Sequence, residues 1–163
     1  MYQYYKGLLI REGIEGIAPE LLRGLYEKIG WCGKELPQRQ NEKFTEALRN
    51  SAWGFTVWNK EELVGMVRVV SDKVMVASVQ DLMILPEYRR KGLGSFLISL
   101  CLQKLPCGNW SARTTPENYE FYRKCGFSMP DSQNVTMVYD GYMLAGKRGD
   151  RSSKNKMEQH NDE

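Results

Sequence analysis

The chain has 163 residues, a formal net charge of +3, 42% hydrophobic and 26% charged residues, the composition of one globular domain with its own core. That small charge makes no case for nucleic acid as a partner, and no window approaches the roughly 18 apolar residues of a membrane span. The opening "MYQYYKGLLIREG" lacks the apolar run and cleavage site of an export signal, so Cys32, Cys101, Cys107 and Cys125, none in a CxxC pair, are read as free thiols in the cytoplasm.

In chain order, "YYKGLLIRE" reads as a first strand. "PELLRGLYEKIG" reads as a helix, with Leu21, Leu22, Leu25 and Ile29 at helical spacing, Pro19 in the first turn and Gly30 as the stop. "NEKFTEALRNS" is a shorter helix with an inner face of Phe44, Ala47 and Leu48. "WGFTVWN", "ELVGMVRVVS" and "VMVASVQDLMIL" then follow as an antiparallel meander. After a helix begun near Leu93 come a short strand "NWSAR", a short helix "PENYEFYRKCG" and a last strand "NVTMVYDGYML". The order predicts an α/β (α+β) domain over 1–145, a mixed, mainly antiparallel sheet with helices on both faces. Residues 146–163 form a polar tail with little to bury. The single histidine, His160, lies in that tail, which argues against a hydrolase built on a histidine base and against a histidine-containing zinc site.

The most informative stretch is "LMILPEYRRKGLGSFLISLCLQKL", Leu82 to Leu105: a strand, a basic glycine-bearing turn, then a helix. Three phosphate-binding turns have that outline. A Walker A loop needs GxxxxGK[ST], and no lysine stands between Gly94 and Ser95. A dinucleotide fingerprint needs a third glycine where this chain has Leu97. The third is [Q/R]xxGx[G/A], which Arg89, Gly92 and Gly94 satisfy.

Through that pattern the chain resembles the GNAT superfamily of N-acyltransferases. "DLMILPEYRRKGLGSFLI" is similar to the family's strand–turn–helix core, and "ENYEFYRKCGF" to its second signature, roughly "N…FYxKxGF". The matching segments cover about 63 to 127 and stand in the family's order and spacing. The resemblance implies a GNAT-like fold and acetyl-CoA as acyl donor, with no metal. It implies an amine acceptor as the other partner, with neither nucleic acid nor membrane, and it admits a homodimer.

The turn's chemistry agrees. A helix start leaves its first N–H groups unpaired and partly positive, so the main chain at Arg90, Lys91, Gly92, Leu93, Gly94 and Ser95 can hold the diphosphate of CoA. Gly92 and Gly94 keep side chains away from that anion, and Arg89, Arg90 and Lys91 add positive charge. Leu93, Phe96, Leu97, Leu100 and Cys101 anchor the helix on its apolar face. By resemblance the main chain of Met83, Ile84 and Leu85 lies along the pantetheine arm, and a splayed sheet leaves N–H groups for the thioester carbonyl. The side chains of Leu82, Ile84 and Leu85 are core, and Pro86 ends the strand.

By the same resemblance Tyr122 stands beside the CoA sulfur as general acid, and Asn118 contacts the cofactor arm. Thr115 is read as the helix cap, Pro116 as its first residue and Glu117 as favourable first-turn charge. The general base is less marked. Asp81 sits where many relatives carry a carboxylate or bind a water, but a hydrogen-bonded structural aspartate is an equal reading; Glu117 is a weaker option, and the proton can leave through water. Among Trp31, Trp53, Trp58 and Tyr139, Trp31 could face the acceptor, whereas tryptophans in a small core more often pack.

These readings converge on an N-acetyltransferase moving acetyl from acetyl-CoA to a primary amine by direct attack in a ternary complex. The acceptor is expected to be a small molecule, with a protein N-terminus or lysine as the competitor. Two other routes remain: transfer through an acyl-cysteine at Cys125, and an acyl-CoA-binding sensor without turnover.

Overall fold

The first expected strand is in fact a hairpin: β1 (Tyr2–Tyr5) and β2 (Leu8–Glu12) pair antiparallel, with Tyr5 opposite Leu8. Lys6 and Gly7 between them both have positive φ, 49° and 82°, the conformation a two-residue hairpin loop requires. In the sequence the alternating apolar pattern runs through this turn and hides it. The structure, a computed structural model, describes residues 1–13, 16–32 and 41–130, without the side chains of 41–43. The expected last strand over 134–144, Tyr139 and the tail over 146–163 lie outside the described residues.

The other elements are α1 (Pro19–Ile29), α2 (Asn41–Arg49), β3 (Trp53–Asn59), β4 (Glu62–Ser71), β5 (Val76–Ile84), α3 (Leu93–Leu102), β6 (Asn109–Ala112) and α4 (Tyr119–Lys124). The described strands form one sheet in the order β1-β2-β3-β4-β5-β6, antiparallel except for the parallel β5–β6 pair. All of these elements fall in one compact unit, Met1–Ser128.

Both faces of the sheet are covered. Phe55, Thr56, Val57 and Trp58 are buried in succession, as are Met66 and Val67, and neighbours along a strand point to opposite faces. Phe55 pairs with Val67, and the Lys104 ammonium beyond α3 lies over its ring. One residue further, Arg68 faces the other way, toward the layer of α1. This is the mixed, mainly antiparallel sheet with flanking helices that the element order predicts.

Within the helices the apolar stripes are narrower than the sequence implies. In α1, Leu22 and Leu25 are buried while Leu21 turns outward. Gly30, at φ 84°, ends the helix in the left-handed conformation. In α2, Leu48 is buried and Phe44 lies 4.6 Å from the Tyr26 ring, but the expected third member, Ala47, is exposed. A nine-residue helix packed mainly on α1 buries one i, i+4 row. In α3, Leu93, Leu97, Ile98 and Cys101 are buried, and Phe96 and Leu100 pack at the margin.

The feature that positions the site is a bulge in β5. Met66 pairs with Met83 and Arg68 with Gln80, so Asp81 and Leu82 together stand opposite Val67. Asp81 takes the extra residue's left-handed conformation at φ 47°, one that aspartate tolerates better than most residues. β6 follows β5 only from Val76 to Val79. Beyond that point, among the described residues, the β5 edge has no strand on that side.

Candidate active site

The open edge of β5 runs directly into the glycine turn. A 3₁₀ turn (Pro86–Tyr88) leads to Arg89, Arg90 has φ 60° and Gly92 has φ 83°, and α3 starts at Leu93. Phe96 donates its N–H to the Gly92 carbonyl, but the N–H groups of Arg90 through Ser95 meet no acceptor among the described residues. Six successive donors at a helix head, in a turn with three cationic side chains, fit an anion with several oxygens such as the diphosphate of acetyl-CoA. Two of the three cations are tied to nearby carbonyls: Arg89 Nε donates to the Ile84 carbonyl at 2.7 Å and Lys91 Nζ to the Glu87 carbonyl at 2.9 Å.

The two glycines also answer to protein neighbours. A Cβ at residue 94 would lie 3.0 Å from the Phe121 ring, and one at residue 92 would lie 2.6 Å from Tyr5 Oη. A side chain at either position would press on a protein neighbour. Phe121 thereby packs α4 against the head of α3 at Gly94, bringing the two sequence signatures together.

Of the three residues expected to lie along the cofactor arm, only Ile84 turns its main chain to the open edge. Leu85 donates its N–H to the Val64 carbonyl, so in the antiparallel ladder Met83 and Leu85 face β4 and Ile84 faces outward. Met83 and Leu85 have buried side chains, whereas Leu82 and Ile84 are only partly buried. Gly65, unnoticed in the sequence, permits this close pairing, because a Cβ there would sit 2.8 Å from the Met83 carbonyl oxygen.

Tyr122 is half-buried between Phe121 and Phe127, whose rings meet it edge-on at 5.0 and 5.4 Å. The local cause is the end of α4. Gly126, at φ 93°, turns the chain, Phe127 donates its N–H to the Tyr122 carbonyl, and the Phe127 ring folds back. Burial first, then the neighbouring Cys125 and Cys101, push the Tyr122 phenol above its ordinary range. Its hydroxyl has no hydrogen-bond partner among the described residues and is not sealed from solvent. It is a protonated acid at neutral pH.

Thr115 does not cap the helix. Residues Pro116–Asn118 form a 3₁₀ turn before α4, and the Thr115 hydroxyl accepts the Asn118 side-chain amide at 3.2 Å. Asn118 and Glu117 are exposed, and the Thr115 hydroxyl holds the Glu117 carboxyl below its usual range. The Cys125 N–H closes the end of α4, and the buried Cys101 thiol is pushed up to about 12.

Asp81 shares no partner with Tyr122. Its carboxylate forms an ion pair with Arg68 and accepts the Tyr26 hydroxyl at 2.6 Å, while Arg68 also reaches Ser51. The hydrogen-bonded aspartate, one of the two readings of this position, is the one seen here. Tyr26 and Arg68 escaped sequence reasoning because the Tyr26–Asp81 contact joins residues 55 apart in the chain. Trp58 is buried and donates to Thr56, and Trp53 stacks on Trp110 at 6.2 Å, so both are packing residues. Trp31 is 55% exposed and meets Tyr26 edge-on.

A mixed sheet with a bulge in β5, followed by a donor-rich turn heading a helix, is the strand–turn–helix arrangement expected from the first sequence signature. The comparisons agree: an Acetyltransferase (GNAT) domain model matches residues 51–129. Histone acetyltransferase TAP1 of Glycine max is 31% identical over 120 residues, covering 65% of this chain and 50% of that protein. The chloroplastic GCN5-related N-acetyltransferase 2 of Arabidopsis thaliana is 29% identical over 129 residues, covering 65% and 48%. The chain therefore spans about half the length of these curated relatives. Among solved structures, the GNAT family acetyltransferase SP0256 of Streptococcus pneumoniae aligns with a TM-score of 0.67 and 27% identity, over 83% of this chain and 98% of that one. Residues 51–129 thus carry a GNAT acetyltransferase domain, and the chain is similar to GNAT-family proteins on either side of that segment.

Proposed function

We propose that the protein is an N-acetyltransferase in which a primary amine attacks the acetyl group of acetyl-CoA directly, within a ternary complex, and that the amine is a small molecule. The observation that carries this reading is the run of N–H groups from Arg90 to Ser95 without acceptors among the described residues. Those groups would hold the diphosphate, with Arg89, Arg90 and Lys91 supplying charge. The outward N–H of Ile84, whose own carbonyl is taken by Arg89 Nε, would pair with the pantetheine arm, and Asn118 would meet the same arm. Acetyl-CoA, when bound, supplies the acyl group as an activated thioester. The Tyr122 hydroxyl keeps a proton available for the departing sulfur, and its burial suits it to give that proton up only as negative charge develops. The amine releases its own proton to Asp81 or to water. With Asp81 already engaged by Arg68 and Tyr26, water is the better supported route.

A protein lysine is the second acceptor reading, favoured by the likeness to the soybean histone acetyltransferase TAP1. For location we propose a reducing compartment, the cytoplasm, in keeping with four free cysteines. Calorimetry with acetyl-CoA, followed by thiol release against amino sugars, polyamines, amino acids and lysine peptides, tests the function. Micromolar binding with amine-dependent thiol release is expected. Binding without release across the panel would leave an acyl-CoA sensor. Loss of release in Cys125→Ala, with acylated wild-type protein trapped, would replace direct attack by an acyl-cysteine route.

A further inference from the structure

Among the described residues, two hydrogen bonds join the N-terminal hairpin to the glycine turn, and both end on the Lys91 carbonyl oxygen. Tyr5 Oη donates to it at 3.3 Å and Lys6 Nζ at 3.0 Å, across more than eighty residues of chain. Neither contact is incidental to the hairpin. The left-handed Lys6–Gly7 loop sets the direction of the Lys6 side chain. The Tyr5 ring is stacked on Phe96, in the first turn of α3, with centroids 4.4 Å apart and planes 18° from parallel. The hydroxyl of Tyr5 is therefore placed by the same helix whose head forms the turn.

The Lys91 carbonyl and the Gly92 N–H belong to one planar trans peptide unit and point in opposite directions. Whatever fixes the carbonyl fixes the N–H. This unit is also the one most able to turn over, because its second residue is glycine, which accepts either sign of φ at little cost. A turned-over unit would present a carbonyl oxygen where the N–H now stands, and an oxygen repels phosphate oxygens.

We propose that Tyr5 and Lys6 are positioning residues of the cofactor site: by gripping the Lys91 carbonyl they hold the Gly92 N–H aimed at the diphosphate. This rests on the acetyl-CoA reading above and deepens it. The hairpin lies outside the 51–129 segment that defines the family match. Lys6 also brings a fourth cation to the turn, so its removal should weaken the response of binding to salt.

The test is calorimetric titration of the full chain with two probes: acetyl-CoA and S-acetylpantetheine, which ends before the diphosphate. Lys6→Met, a change at an exposed loop position, should raise the Kd for acetyl-CoA about tenfold with an unchanged melting temperature. Tyr5→Phe keeps the Phe96 stack and every charge, and should raise it about threefold. Lys6→Arg keeps an N–H donor and should recover most of the loss. S-acetylpantetheine should bind all of these variants as it binds wild type. Equal loss with both probes, or wild-type affinity for acetyl-CoA in Lys6→Met, overturns the inference while leaving the cofactor reading intact. Loss in Lys6→Met with none in Tyr5→Phe reduces Lys6 to a bulk charge and also overturns the grip. Wild-type protein that takes up no acetyl-CoA overturns the cofactor reading and this inference with it.

Discussion

Tyr122 and Gly92 show how differently two motif residues act once folded. Tyr122 keeps its proton because burial and nearby cysteines disfavour the phenolate. Tyr122→Phe should therefore lower kcat at least about a hundredfold while leaving the Kd for acetyl-CoA within about threefold, measured by thiol release and calorimetry. Equal kcat would remove the general acid from this site. Gly92 is constrained twice, by φ 83° and by Tyr5 Oη at 2.6 Å from the place a Cβ would take. Gly92→Ala should cost about 1–2 kcal/mol from the left-handed conformation alone, with the Tyr5 contact adding to it. In a Tyr5→Phe background the cost should shrink toward that conformational part, which urea unfolding of the three variants will show. The motif made Gly92 conspicuous in the sequence; Tyr5 was not, since nothing near residue 5 refers to residue 92.

At the scale of elements, the bulge in β5 decides the geometry of the site. Its extra residue is Asp81, and the carboxylate is fastened to Arg68 on β4 and Tyr26 on α1. Asp81→Asn removes the countercharge from a largely buried guanidinium, and should destabilise the fold by about 1–3 kcal/mol in denaturant unfolding. If Asp81 acts only in structure, the variant should keep kcat at low temperature once folded; a large fall in kcat that rises with pH in wild type would instead restore it as the base. The run "VASVQDLMIL" alternates poorly around Gln80 and Asp81, the local trace of a bulge, but a broken alternation does not say which way the strand bends. The N-terminal hairpin was similarly concealed, because "YYKGLLIRE" has apolar residues on both sides of a loop only two residues long. By contrast α1, ended by glycine, and the β3–β4–β5 meander were legible from their caps and periodicity.

For the whole molecule, burial of two phenols predicts an alkaline limit to stability. Tyr26, desolvated and bonded to Asp81, and Tyr122, desolvated beside two cysteines, both have pKa values raised above the ordinary 10.0. Above about pH 10 the unfolded chain ionises these groups while the folded chain keeps them protonated, so the folded state binds more protons and stability falls as pH rises. The urea midpoint should be flat through neutral pH with respect to these groups and decline above about pH 10, and Tyr122→Phe should flatten part of that decline. A decline of the same slope in the variant would mean Tyr122 does not contribute.

What the amino-acid sequence determined by itself was the part carried by short-range chemistry. The glycine spacing after a strand, the helix starts and stops, and the FY-x-K-x-G-F turn depend on neighbours within a few residues, so their conformations are largely set before the chain folds. Tertiary structure alone decided which groups meet: Tyr26 with Asp81, Phe121 over Gly94, and Tyr5 with Lys6 on the Lys91 carbonyl. Those meetings follow from the sheet order and the side-chain directions it imposes, and a hydrogen bond between residues 5 and 91 leaves no periodic mark on either segment.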